Sequence, residues 1–132
     1  MQTSLKPLNQ QVVVITGASS GIGLATAMLA AERGAKLVLI ARSAKTLKHL
    51  VARIANTGGT AIDVVADVAD REKMRLAAQA AVDRFGHIDT WINNAGVAIY
   101  GRLDEVNEAD SRRLFDTNFW VSSMVRLLPC PT

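Results

Sequence analysis

The sequence predicts an α/β fold in which helices cover both faces of a doubly wound parallel sheet. Three observations support this fold class: short apolar runs alternate with helical patterns, a glycine-rich segment follows the first run, and the composition suits buried strands. Apolar residues make up 49% of the chain, charged residues 20% and aromatic residues 5%. Because the 132 residues contain no internal linker or tandem repeat, we predict a single domain over residues 1–132.

The first half of the chain is predicted to form three strands and two helices. Apolar runs rich in Val, Ile and Leu predict buried strands over residues 12–15 and 37–40, and a third strand is predicted over residues 61–65. The first helix is predicted over Leu24–Arg33 and ends at Gly34, a residue suited to the left-handed conformation. Ser43 is the predicted N-cap of the second helix, which Gly58–Gly59 ends. This second helix carries an apolar stripe at helical spacing: Leu47, Leu50, Val51 and Ile54.

The second half is predicted to add two helices and one strand. Asp70 is the predicted N-cap of the third helix, which ends at Gly86. The apolar stripe of this helix comprises Met74, Ala78, Ala81, Val82 and Phe85. A fourth strand is predicted over Thr90–Asn93, and a loop over residues 95–108 leads to a last helix over residues 110–128. One face of the last helix carries Leu114, Val121, Val125 and Leu128.

The segment between the first strand and the first helix, Thr16 to Gly23, reads TGASSGIG. Its glycines, at positions 17, 21 and 23, permit tight turning, close approach of the backbone to a phosphate, and close packing of the helix on the sheet. The helix behind them presents unpaired N–H groups and the positive end of its dipole, and Ser19 and Ser20 add hydroxyl donors. This placement predicts a phosphate-binding loop, with a purely structural turn as the alternative.

This loop, with its glycine spacing G-x-x-x-G-x-G, resembles the cofactor loop of the short-chain dehydrogenase/reductase family. Two further segments agree with the family pattern in order and spacing: Asp67-Val68 after the third strand, and Asn93-Asn94-Ala95-Gly96 after the fourth. The resemblance covers the chain from Val12 to about Leu128. It implies the N-terminal, cofactor-binding half of the family's fold, a Rossmann-type sheet truncated after about four strands.

The resemblance implies a role for each matched position. Asp67 and the backbone of Val68 would receive the adenine. The segment 93–96 would line the ribose and nicotinamide side of the cofactor, and Thr16 would form a hydrogen bond to this segment. A loop or helix-cap carboxylate is the alternative for Asp67, and a tight turn is the alternative for the asparagines. Asn118 matches the active-site asparagine of the family, with a buried, backbone-bonded asparagine as the alternative. The residues predicted to bind the cofactor are Thr16, Gly17, Ser19, Ser20, Gly21, Ile22, Gly23, Arg42, Ser43, Asp67, Val68, Asn93, Ala95 and Gly96.

The residues after the second strand favour NADP(H) over NAD(H). NAD-specific sites place a carboxylate there to accept from the ribose 2′-hydroxyl, but this strand is followed by Ala41-Arg42-Ser43. A guanidinium suits the 2′-phosphate, because it pairs charge and donates bidentate hydrogen bonds, and Ser43 can donate another. One departure is Ser20, which stands where many NADP-using relatives carry a second basic residue in the glycine loop.

The acid–base group that the resemblance implies is missing. The family uses a tyrosine, a lysine four residues later that lowers the tyrosine pKa, and a serine on the next strand. The single tyrosine here is Tyr100, which is followed four residues later by Asp104, and the last lysine is Lys73. Ser122 and Ser123 fall in the predicted last helix and are interpreted as surface residues. The chain is therefore predicted to be inactive by itself.

These observations favour the NADP(H)-binding portion of an oxidoreductase that transfers hydride between NADP(H) and a carbonyl or alcohol substrate. The segment 127–132 does not resemble a run into a further strand, which favours a chain shortened from a longer reductase. A stand-alone nucleotide-binding module without catalysis is the alternative. Nucleic-acid binding is not predicted, because no interleaved aromatics accompany the cations of one acid-free window: Arg33, Lys36, Arg42, Lys45, Lys48 and Arg53.

The remaining features limit the possible partners and the cellular location. His49 and His87 lack metal-ligand spacing, so no metal site is predicted. A lone cysteine, Cys130, and the lack of a signal-like or membrane-spanning run predict a cytoplasmic protein with no membrane partner. In the family's strand order a fifth strand covers the fourth. We therefore predict that an unpaired edge at Thr90–Asn93 promotes self-association.

Overall fold

The computed structural model describes residues 4–96, 102 and 104–120. Four strands form one sheet in which every pair is parallel: β1 (Val12–Thr16), β2 (Lys36–Ala41), β3 (Thr60–Val65) and β4 (Thr90–Ile92). Their order across the sheet is β3-β2-β1-β4. The predicted α/β fold with a parallel sheet is confirmed.

The strands are joined by helices at the predicted places. The helices are α1 (Gly21–Glu32), α2 (Ala44–Asn56), α3 (Arg71–Phe85) and α4 (Glu108–Phe115), and a π-helical turn follows over Asp116–Trp120. Ser43 and Asp70 are confirmed as N-caps, because their side chains accept from the backbone N–H groups of Thr46 and Lys73. Within the described residues, no helix is long and apolar enough to cross a membrane.

Two predicted helix boundaries are wrong. Helix α1 begins at Gly21 rather than Leu24, because the end of the glycine-rich segment already forms its first turn, which apolar periodicity cannot detect. The last helix begins at Glu108 rather than Asp110, because the side chain of Asn107 accepts from Asp110 N at 2.8 Å and caps it there. The predicted continuation of this helix to residue 128 lies outside the described residues, as do Tyr100, Ser122, Ser123 and Cys130.

Side chains that alternate along the strands divide the core into two layers. Val13 and Ile15 face α1 and α2 in one cluster, whereas Val14 belongs to a second cluster with α3. Strand β1 is buried along its whole length, as its apolar run predicted. Helix α3 differs from its predicted stripe in one position, because Ala77 is fully buried and Ala78 only half-buried. The helices thus lie on both faces, which confirms the doubly wound arrangement.

The predicted cationic window lies at the surface. All six of its cations are exposed: Arg33, Lys36, Arg42, Lys45, Lys48 and Arg53. His49 is exposed as well, and the side chain of His87 is 44% exposed. The cations of the window therefore occupy solvated faces, and Arg42 is the one that also lines the cleft described below.

Asp89 fastens the start of β4 to the start of β1. Its Oδ2 atom accepts from Val12 N at 2.8 Å, and its own N–H donates to Val12 O at 3.0 Å. Lys6 Nζ donates to Oδ1 at 2.7 Å, and His87 Nε2 lies 2.8 Å from Oδ2. Burial acts to raise the pKa of the Asp89 carboxyl, but the bonds from Lys6 and Val12 and the neighbouring imidazole outweigh it. The pKa is therefore lowered below its ordinary value.

Replacing Asp89 with asparagine should lower the free energy of unfolding at pH 7 by about 1.5–3 kcal/mol, because hydrogen bonds to a charged acceptor are lost. A carboxyl with a lowered folded pKa stabilises above its unfolded pKa and loses that contribution as the pH falls through the folded value. The difference between the parent and Asp89→Asn should therefore shrink toward pH 3 in urea titrations. Asp83→Asn, at an exposed carboxylate of α3, is the control and should change stability little. A pH-independent difference would contradict this account.

Candidate cofactor-binding site

An open cleft lies at the carboxyl edge of the sheet, where the segments after all four strands meet. The cleft lies at the ends of β1 and β4, where the strand order changes direction, which is the usual position of ligand sites in open α/β sheets. The cleft is lined by Gly17, Ser19, Ser20, Ala41, Arg42, Ala66, Asp67, Val68, Asn94, Ala95, Gly96, Arg113 and Thr117. Eight of the sequence-predicted residues are in this set, and the other six are Thr16, Gly21, Ile22, Gly23, Ser43 and Asn93.

Thr16 joins the ends of β1 and β4 beneath the cleft. Its hydroxyl, fully buried, accepts from Asn94 N at 3.0 Å and from Ala95 N at 3.1 Å, and donates to Ile92 O at 3.4 Å. The predicted bond from Thr16 to the segment 93–96 is confirmed. Thr16 therefore shapes the cleft without lining it.

Asn94 and Gly23 bring the glycine loop close to the segment after β4. Asn94 Nδ2 donates to Gly17 O at 3.2 Å. A Cβ atom at Gly23 would overlap both this carbonyl oxygen and the Asn94 amide, so only glycine permits α1 to start so near the sheet. The sequence prediction included both asparagines in the segment 93–96 but named only Asn93 as a binding residue. Asn93 is exposed, and its Oδ1 atom accepts from the indole N–H of Trp91 at 3.0 Å, away from the cleft.

The start of α1 presents backbone donors that the helix itself does not satisfy. Ser20 is the N-cap residue, but its side chain forms no capping hydrogen bond. The first intrahelical bond runs from Leu24 N to Ser20 O at 3.2 Å, so the N–H groups before Leu24 have no acceptor within the helix. Gly21 and Ile22 are exposed at this end. A helix terminus of this kind favours an anion.

Arg42 and Ser43 follow β2 but have different surroundings. Arg42 lines the cleft and is exposed, and no hydrogen bond or ion pair holds its guanidinium within the described part of the chain. Ser43 lies outside the cleft lining, and its hydroxyl is bonded to the backbone and hydroxyl of Thr46. Arg42 is therefore available to a ligand, whereas the side chain of Ser43 caps α2.

Asp67 uses its two carboxylate oxygens differently. Oδ1 accepts from Ala69 N at 3.0 Å and so shapes the loop, as the alternative interpretation expected. Oδ2 lies 3.6 Å from the guanidinium of Arg113, and both side chains are partly exposed on the cleft wall. Val68 beside it is buried. One carboxylate oxygen of Asp67 therefore stabilises the loop, and the other faces the guanidinium of Arg113.

Helix α4 and the π-helical turn contribute a wall that the sequence did not predict. Arg113 and Thr117 line the cleft, although their positions carried no motif. Asn118, next in the chain, is exposed rather than buried, and its Oδ1 atom lies beside Gly96. The interpretation of Asn118 as a buried asparagine is therefore wrong, and its side chain belongs to the margin of the cleft.

This sheet order, glycine-rich loop and cleft together define a Rossmann-type nucleotide-binding fold. A profile of short chain dehydrogenases matches residues 11–128. The chain therefore belongs to the short-chain dehydrogenase family, as its motifs implied.

Individual relatives agree with this assignment. The uncharacterized oxidoreductase YxnA of Bacillus subtilis (strain 168) is 51% identical over 116 residues, which cover 88% of this chain and 33% of that protein. A metagenomic short-chain oxidoreductase in complex with NADP has a TM-score of 0.85 at 31% identity, covering 90% of this chain and 54% of the other. L-sorbose reductase from Gluconobacter frateurii, complexed with NADPH and L-sorbose, has a TM-score of 0.86 at 28% identity, with 97% and 48% covered. The chain thus spans about a third to a half of these relatives.

Proposed function

We propose that this chain is the NADP(H)-binding portion of a short-chain dehydrogenase/reductase that interconverts a carbonyl and an alcohol. The observation that carries the proposal is the cleft itself. It combines the open N-terminus of α1 with the guanidinium of Arg42, which follows β2 and is unpaired among the residues that the structure describes. The complexes of two structural relatives with NADP and NADPH support the same cofactor class.

The residues of the cleft fit a dinucleotide. The backbone donors before Leu24 suit the pyrophosphate, and Asp67 and Val68 would receive the adenine, as the family resemblance implies. Ala95 and Gly96 would lie toward the nicotinamide side, with Asn118 at the margin. When bound, the nicotinamide supplies or accepts the hydride, and the chain positions it.

The preference for NADP(H) rests on charge at the end of β2. The cleft lining holds two cations, Arg42 and Arg113, and one carboxylate, Asp67. Arg113 faces Asp67, so Arg42 is the cation left for a phosphate. A guanidinium pairs with a phosphate through two parallel N–H donors, whereas the 2′-hydroxyl of NAD(H) offers no charge to pair with.

Arg42→Ala should weaken NADPH binding by about one to two decades, since a charge-assisted hydrogen bond contributes about 1.5–3 kcal/mol. NADH affinity should change little, so that the variant binds both cofactors alike in titration calorimetry. Arg53→Ala is the matched control, because Arg53 is an exposed arginine outside the cleft lining. Equal affinity of the parent for NADPH and NADH would refute the assignment of Arg42.

Substitution of Gly21 tests whether the glycine-rich loop binds a phosphate, and Gly58, a glycine of similar backbone geometry outside the cleft, is the control. Gly21 and Gly58 both have positive φ angles, +55° and +83°, and a Cβ atom at either would meet nothing within 4 Å. Alanine at each position should therefore cause similar backbone strain and a similar loss of stability. Gly21→Ala should also weaken NADPH binding at least tenfold, because its methyl group intrudes where the pyrophosphate approaches; Gly58→Ala should not. Equal binding by the two folded variants would contradict the phosphate-loop proposal.

The proposed reaction needs a proton donor that this sequence does not carry. It contains no Tyr-x-x-x-Lys, since Tyr100 is its single tyrosine and Lys73 its last lysine. This observation favours a second candidate function for the chain by itself, a nucleotide-binding module without catalysis. The chain spans only part of its relatives, so the two functions differ in whether further chain completes the site.

We expect the chain alone to bind NADPH but to reduce no carbonyl above background, because general acid–base catalysis contributes typically about 10²–10⁴-fold. NADPH oxidation with simple ketones, followed by absorbance, is the measurement, and NADPH binding by calorimetry is the control that the site is intact. Carbonyl reduction by the purified chain would contradict this expectation.

The proposal also includes self-association of the chain and its cellular location. Within the described residues β4 pairs only with β1, which leaves Thr90–Ile92 as a sheet edge. Open edges of this kind pair with other chains, so we propose that the chain alone associates with itself and that NADPH opposes this by stabilising the folded form. Single-cysteine usage supports a cytoplasmic location.

A further inference from the structure

Strand β3 forms the edge of the sheet opposite to β4, and most of its residues suit pairing with a further strand. Among the described residues β3 pairs with β2 alone. The strand, Thr60–Val65, reads TAIDVV, and four of its six residues are β-branched. An open edge with such a run is a template for pairing with another chain. A feature that discourages this pairing would therefore keep β3 single.

Asp63 interrupts this otherwise uncharged strand. It is the single charged residue between Arg53 and Asp67, so its removal would leave the edge strand and the residues on both sides of it without charge. Aspartate is disfavoured in strands, and Asp63 stands near the middle of β3 with its side chain half-buried. The residue therefore opposes the local preference of its own strand.

The fold gives Asp63 no bond that would explain its presence. Within the described part of the chain, no hydrogen bond or ion pair holds its carboxylate. Asp89, by contrast, accepts from Val12 N and from Lys6. Ile62 and Val64 pack into the cluster beneath α3, so the alternation of the strand places Asp63 on the other face, beside α2. Asp63 thus lies at the sheet edge as a carboxylate that the fold does not use.

The position of Asp63 would hinder an added β3 strand from a second copy. Two copies could pair their β3 strands antiparallel about a two-fold axis, which is the symmetry of most homodimers. In the register centred on residue 63 the two Asp63 side chains would lie directly opposite each other, and centred on residue 62 or 64 they would be diagonal neighbours. Like charges at such positions are destabilising, and pairing would also withdraw them from water.

We propose that Asp63 is a gatekeeper, a residue that keeps the β3 edge from pairing with a second copy of this chain. This inference does not depend on the cofactor. It concerns the edge opposite to β4, through which the chain is proposed to associate. With β3 guarded, association through β4 joins two copies and stops, whereas two open edges would allow an open-ended series of copies.

Asp63→Thr tests the proposal, because it removes the charge and supplies a β-branched residue. The melting temperature should stay unchanged or rise, since threonine is the better strand former. The Kd of self-association, measured by sedimentation equilibrium, should fall about tenfold, because the like-charge contact and its desolvation are removed. The net charge of the chain is +3, and loss of an acid makes it more positive. Added repulsion between copies would therefore work against the expected change.

Two variants and one further measurement separate the edge from general effects of charge. Asp83→Asn removes an exposed carboxylate of α3 and should associate like the parent, as should Asp63→Lys, which keeps a charge on the edge. In Asp63→Thr, hydrogen exchange should show new protection over residues 60–65. Association equal to that of the parent, or new protection confined to β4, would overturn the proposal. A clear loss of stability in Asp63→Thr would also overturn it, because Asp63 would then serve the fold.

Discussion

The buried hydroxyl of Thr16 is the constraint on which the cofactor cleft depends. It ends β1 and holds two consecutive backbone N–H groups of the segment after β4, so the two strand ends keep a fixed separation. This places Asn94 where its amide reaches Gly17 O, and the absence of a side chain at Gly23 lets α1 start beside both. The open N-terminus of α1, where we propose that an anion binds, therefore begins beside the cleft.

Most of the fold follows from signals that are local in sequence. β-Branched runs marked the strands, Ser43 and Asp70 marked the starts of α2 and α3, and Gly86 marked the end of α3 with a left-handed conformation. Each of these signals reflects a backbone requirement that a few neighbouring residues meet or fail to meet. The glycine loop was predictable for the same reason, since its spacing expresses backbone geometry.

The missed site residues depend on tertiary geometry. Asn93 and Asn94 are adjacent and chemically identical, and only the direction of the chain after β4 decides that Asn94 reaches the loop while Asn93 bonds Trp91. Arg113 and Thr117 reach the cleft because α4 and the π-helical turn after it contribute to the cleft wall, which apolar periodicity does not reveal. A residue that belongs to no motif cannot be recognised as part of a site until the fold shows that it lines the cleft.

Asp89, at the other end of β1 from Thr16, has a consequence for how this domain can vary. The cluster of Asp89, Lys6 and His87 lies at Val12, and the cleft begins beyond Thr16, about 16 Å away along five residues of extended chain. Effects of substitutions this far apart generally add without coupling. Substitutions in the cluster around Asp89 should therefore change the stability of the sheet without changing the geometry of the cleft.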